Sequence, residues 1–497
     1  MNPIKDMKSW QDQRIKKDEV LKYMPDGRDF IPEAEIFQKL HERNAPDKYQ
    51  LQDLLAKSLD VKDLSPDEAA ALMKVTDPRL LAMMKDAALK VKKKVYDNRI
   101  VTFAPLYLGN FCVNNCAYCG YKTDNREAKR RVLSTEEIRR EVEVLTGEIG
   151  HKRLIVVYGE HPKNDVDFII SSIRDIYDVQ VKTKHGHGNI RRVNVNASPF
   201  SVEDFKRIHD VGIGTYQVFQ ETYHHETYQH VHPSNTVKGD YHWRLYAMHR
   251  AFEAGIDDVG IGALFGLYDW KFEVMALIYH ARELIDTFGI GPHTVSFPRL
   301  EPALNMTLDS SNPYTVSDED FIKIILVIRL AIPYTGMIIT ARENAQLRRE
   351  AINIGVTQTD ASTRIDIGGY TLQRKQQESR EQQFILGDMR SLEEVVREFA
   401  SMGYITSFCT AGYRCGRTGK CIMDLLRNGM EGKFCKLNAI LTFKEWIDDF
   451  ASAETKMLAD PLLHKELEDV RLTVPEMYPA FIEYYKRIEQ GERDLYI

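Results

Sequence analysis

Three cysteines, Cys112, Cys116 and Cys119, stand in the segment YLGNFCVNNCAYCGYKTDN, with three and then two residues between them. Thiols this close on one loop make no sensible set of disulfides, but they can converge on one metal centre. A 4Fe–4S cluster usually takes four cysteines, so three local thiolates leave one iron open to an outside ligand. A structural zinc would want a fourth Cys or His close by, and the next histidine is His151. Tyr118, between the last two cysteines, is placed to cover such a cluster or to stack on an adenine. The other cysteines, Cys409, Cys415, Cys421 and Cys435, form a second group far downstream. Seven cysteines in two tight groups point away from a disulfide framework. They suit a reducing, cytoplasmic setting with metal or redox chemistry.

The elements that must position these groups come from periodicity. The chain has 497 residues, a formal net charge of -6 and 43% hydrophobic residues. Those values predict a globular protein with no electrostatic reason to bind nucleic acid, and no apolar run long enough for a membrane span stands out. Residues 1–95 read as a helical, charged extension, with a capping box at Ser65 and Glu68. Over 96–370, short apolar strands (TFAPLYL, RLIVVY, RVNVNA, TYQVF, DVGIGAL, TVSF, GMIIT) alternate with helices opened by Ser134 and Ser201. Such alternation predicts an α/β fold with a parallel sheet, closed as a (βα)8 TIM-type barrel. Reacting groups then belong on loops after the strands, where the cysteine loop lies. Residues 371–497 read as a helical C-terminal region carrying the second cysteine group.

The three-cysteine loop after a first barrel strand resembles the radical S-adenosylmethionine (radical SAM) enzymes. That resemblance implies a 4Fe–4S cluster on Cys112, Cys116 and Cys119 whose open iron binds SAM. It implies SAM contacts at Tyr118, at Gly159 and Glu160 after the second strand, and at Asn196, Gln220, Glu221 and Arg244. The segments GTYQVFQETYH, GPHTVSFPRLEPA and GYITSFCTAGYRCGRTGKC resemble the aromatic amino acid lyases of this superfamily, the tyrosine lyases of thiamine synthesis and of FeFe-hydrogenase maturation. The implied reaction is cleavage of the Cα–Cβ bond of L-tyrosine to p-cresol and dehydroglycine (2-iminoacetate), driven by an unidentified low-potential electron donor. Supply of dehydroglycine to thiamine thiazole, full maturase chemistry on an altered cluster, and a non-catalytic iron–sulfur scaffold stand as alternatives. An α-carboxylate anchor would be an arginine, the best planar bidentate partner. Arg299 and Arg342 both follow late barrel strands, with Ser296 and Thr340 as hydroxyl donors.

The second group departs from the maturase pattern, in which three cysteines hold an auxiliary cluster. Laid on this chain, the first and last positions fall on Cys409 and Cys435 and the middle one on Gly412, which has no side chain. Three readings stay open: no auxiliary cluster, a site rebuilt with Cys415 or Cys421, or a different four-cysteine centre. His280, with His293 second, is the candidate histidine ligand.

Overall fold

The computed structural model describes residues 7–308, 312–372, 377–427 and 431–497. Eight parallel strands form its centre: β1 (Arg99–Gly109), β2 (Arg153–Tyr158), β3 (Arg192–Asn196), β4 (Tyr216–Gln217), β5 (Val259–Gly262), β6 (Thr294–Ser296), β7 (Gly336–Ile339) and β8 (Gln358–Asp360). Each pairs in parallel with the next, and β8 returns to β1 through Val101↔Gln358 to Phe103↔Asp360, which closes the barrel. A strand buried on both faces has no polar side to show. All eleven residues of β1 are accordingly buried.

The helices between the strands begin where the sequence predicts. Ser134 and Glu137 form a reciprocal capping box at helix Thr135–Glu143, and Ser201 accepts from the Asp204 N–H at helix Val202–Asp210. Ser65 and Glu68 do the same in the N-terminal extension. Phe103, Ile155 and Ile338 fill part of the barrel interior.

β8 has no apolar run to announce it. Its residues Gln358, Thr359 and Asp360 are polar yet buried, because Arg153, Arg348 and Thr363 hydrogen-bond to them inside the fold. A further short strand, β9 (Ile405–Ser407), runs parallel to the start of β1, in register Arg99↔Ile405. It delivers the second cysteine group to the opposite end of the barrel from the first. Helix Glu431–Phe450 is tied to the barrel by a buried cluster, in which Glu445 accepts from Lys152 and Arg191, each at 2.9 Å. Among the described residues no helix is long and apolar enough to cross a membrane.

Candidate active site

A cavity of about 220 Å³ opens at the C-terminal ends of the barrel strands. The loop that leaves β1 at Gly109 lies on its wall. Two close approaches hold that loop against β2: the Gly159 N–H donates to the Gly109 carbonyl at 2.8 Å, and the Val113 N–H donates to the Glu160 carbonyl at 2.8 Å. Gly159 has to be glycine for this contact, because a Cβ there would stand 2.3 Å from the Phe111 carbonyl oxygen.

Cys112, Cys116 and Cys119 all line the cavity, and among its lining residues there is no fourth thiol and no histidine. Amide donors point at the sulfurs. Asn114 Nδ2 lies 3.7 Å from Cys112 Sγ, and the Tyr121 N–H and Gln383 Nε2 lie 3.4 and 3.5 Å from Cys119 Sγ. Burial, with the other two thiols adding and Lys238 opposing, pushes the Cys116 thiol up to about 12. Three converging thiols with N–H donors suit an iron cluster, whose cationic irons favour the thiolate form.

The remaining wall carries matched polar groups. Glu160 accepts from Asn114 Nδ2 at 2.6 Å through one oxygen, and its other oxygen, Oε1, is buried without a hydrogen-bond partner among the described residues. Glu221 is held in a left-handed conformation at φ 74° and pairs with Lys238 at 2.7 Å and Arg244 at 3.1 Å. Burial works against its ionisation, but the two cations outweigh it and hold its carboxyl below the usual range. Tyr118 lines the cavity with its hydroxyl 2.9 Å from His232 Nε2. Asn196, Ser296 and Thr340 also line it, and the Thr340 hydroxyl has no partner among the described residues.

Arg342 lies on the same wall, its guanidinium 3.3 Å from the centre of the Phe384 ring. Among the described residues no carboxylate comes within ion-pairing reach of it. Arg299, its equal in sequence terms, does not reach the cavity. It is neutralised by Glu343 and by Asp318 at 2.8 Å. Gln220 is likewise buried beside the Tyr241 carbonyl and does not line the cavity.

Three site residues lay outside the sequence expectations: Asn114, Lys238 and Gln383. Asn114 sits within the cysteine motif and could have been singled out there. Lys238 and Gln383 reach the site from distant segments, and no local pattern marks them.

At the other end of the barrel, Cys409, Gly412 and Cys435 line one small cavity of about 10 Å³, room for about one water. Cys415 and Cys421 are exposed and do not line it. Arg192 points its guanidinium at Cys409 Sγ, 3.5 Å away, and at Asp258, whose carboxylate lies 2.9 Å from His293 Nδ1. Of the two candidate histidines, His293 is the one on this side. His280 is not: it packs on Phe30 and hydrogen-bonds the Tyr223 hydroxyl at 2.8 Å, on a helix outside the barrel.

A closed (βα)8 barrel with a three-thiol loop after its first strand defines a radical SAM enzyme, and the model of the Radical SAM superfamily matches residues 106–277. A Biotin and Thiamin Synthesis associated domain matches residues 296–405. A crystal structure of HydG, a maturase of the [FeFe]-hydrogenase, is 45% identical, covers 95% of this chain and is itself covered in full, with a TM-score of 0.88. HydG from Carboxydothermus hydrogenoformans is 35% identical over 96% of this chain and 99% of its own, with a TM-score of 0.75. The chain therefore belongs to the HydG family of radical SAM lyases. The 2-iminoacetate synthase of Salmonella typhimurium is 29% identical over 350 residues, 70% of this chain and 87% of that protein.

Proposed function

We propose that the protein cleaves L-tyrosine between Cα and Cβ, giving p-cresol and dehydroglycine, and that its chemistry stops there. The observation that carries the substrate reading is Arg342, a cation on the wall of the three-thiol cavity with no carboxylate among the described residues in ion-pairing contact with it. Cys112, Cys116 and Cys119 would hold a cluster that, with SAM, would supply the 5′-deoxyadenosyl radical for hydrogen-atom abstraction from the substrate. The chain's own groups do the rest. Glu160 Oε1 accepts from an ammonium group, and the pairing of Glu221 with Lys238 and Arg244 keeps a charged, dry wall beside Tyr118. Arg342 binds the amino acid carboxylate in a bidentate fork, with Ser296 and Thr340 donating beside it. Tyrosine equals the sum of p-cresol and dehydroglycine in atoms. The coupled cleavage of SAM to methionine and 5′-deoxyadenosine takes two electrons and one proton from outside.

The stop at dehydroglycine rests on Gly412. The cavity shared by Cys409 and Cys435 offers two thiols, and Cys415 and Cys421 lie outside it. An auxiliary cluster lacking a third protein thiolate would be labile. Chromatography of the anaerobic reaction, with haem trapping of carbon monoxide, tests both parts. We expect p-cresol from tyrosine and no trapped carbon monoxide. Turnover of another amino acid without p-cresol overturns the substrate; carbon monoxide abolished by Cys415→Ala overturns the stop.

A further inference from the structure

The connection between β4 and β5 carries two histidines, His225 and His242, that face Asp29 of the N-terminal extension. Their Nε2 atoms lie 2.8 and 2.9 Å from the same oxygen, Asp29 Oδ2. The other oxygen, Oδ1, accepts from the Ile31 N–H at 2.9 Å, which turns Oδ2 toward the two rings. On its far side His225 Nδ1 meets Glu33 Oε1 at 2.7 Å, and the His225 backbone N–H donates to that same oxygen at 2.8 Å. The Tyr241 ring covers His225 at a centroid distance of 4.2 Å. None of these residues lines the catalytic cavity.

Two imidazole nitrogens and one carboxylate oxygen lie within 4.8 Å of one another, all partly shielded from solvent. A carboxylate behind the second nitrogen of one histidine completes the pattern that orients metal-bound imidazoles. His225 faces a carboxylate at each ring nitrogen. A dication at Nε2 would balance the charges of Asp29 and Glu33 and leave Nδ1 facing Glu33. Imidazole and carboxylate donors suit zinc-class ions, with water in the remaining position. We propose that Asp29, His225 and His242 form a divalent-cation site of the zinc class that clamps the N-terminal extension to the barrel. The clamp sits beside Phe30, which already packs against Tyr246 and His249. It also fixes the short helix Tyr241–Leu245, which carries both His242 and Arg244.

The test uses the full-length, anaerobically reconstituted protein, incubated with zinc sulfate and desalted. We expect about one zinc per chain, with an X-ray absorption shell of nitrogen and oxygen near 2.0–2.1 Å and no sulfur shell near 2.3 Å. His242→Ala and Asp29→Asn, if folded by circular dichroism, should lose that zinc while keeping their iron. Wild type that retains no zinc, zinc bound through sulfur, or undiminished zinc in folded His242→Ala each overturns the site. If the variants do not fold, the wild-type zinc content and absorption shell decide alone.

Discussion

Replacing Arg342 with Met should separate stability from binding, because the two depend on opposite features of this side chain. In the folded protein the guanidinium has an aromatic partner, Phe384 at 3.3 Å, but no counterion among the described residues, and burial pulls its pKa below the usual arginine value. Loss of the stacking contact costs about 0.5–2 kcal/mol. Relief of an uncompensated, half-buried cation returns a similar amount, so the net change in stability should stay within about 1 kcal/mol. The substrate, in contrast, loses a charge-assisted hydrogen-bonded partner worth about 1.5–3 kcal/mol, which is roughly a 10- to 150-fold rise in KM for tyrosine. Tyrosine titrations following p-cresol, alongside thermal melting, provide the assay. SAM cleavage without tyrosine should remain near the wild-type rate, since Arg342 is assigned to the amino acid. A variant with unchanged KM, or one whose only defect is unfolding, refutes this account of the carboxylate anchor.

Other consequences follow from the same geometry. Glu273 is fully buried, and burial raises its carboxyl to about 8 despite hydrogen bonds from Thr222 and the Tyr223 N–H. The folded state then holds a proton that the unfolded chain releases above its ordinary pKa of about 4.5. Stability is fully present below that value and falls by up to about 5 kcal/mol as pH rises toward 8. Glu273→Gln should flatten this decline in urea melts taken between pH 5 and 8.5. Glu445→Ala leaves Lys152 and Arg191 buried without their shared carboxylate; a loss of about 3–5 kcal/mol is expected in the same assay. Gly412→Cys should be accommodated, since a Cβ there meets only the Arg417 carbonyl oxygen, at 3.5 Å. Iron analysis after reconstitution should show about four more irons per chain than wild type, and no gain would mean that the missing thiolate is not what limits this site.

The first cysteine loop was legible in the sequence because its chemistry is local. Three thiols on one short loop can serve few purposes, and the glycine and carboxylate at the end of β2 sit where a neighbouring strand must approach it. Strands of apolar residues and helices with capping boxes were legible for the same reason. The polar strand β8 was not, since its residues are satisfied by Arg153, Arg348 and Thr363 rather than marked by a hydrophobic pattern. Arg299 and Arg342 were indistinguishable by position. What separates them is the distribution of counterions, with Glu343 and Asp318 gathered on one and, among the described residues, no ion-paired carboxylate on the other. The same holds for the histidines: His280 lies on an outer helix, whereas His293 stands before β6 beside Asp258 and so meets the end of the barrel where Cys409 arrives. Lys238 and Gln383 owe their roles wholly to the return of distant segments to the mouth.

The central claim, that Cys112, Cys116 and Cys119 form the reactive centre of a tyrosine lyase, is tested most directly by quantifying 5′-deoxyadenosine and p-cresol together. Anaerobically reconstituted wild type and Cys116→Ala would be given SAM and dithionite, with and without tyrosine. The account predicts that tyrosine stimulates 5′-deoxyadenosine formation in wild type with p-cresol appearing alongside, and that Cys116→Ala forms neither product. Formation of 5′-deoxyadenosine by Cys116→Ala at the wild-type rate, or wild-type turnover of tyrosine without p-cresol, would contradict it.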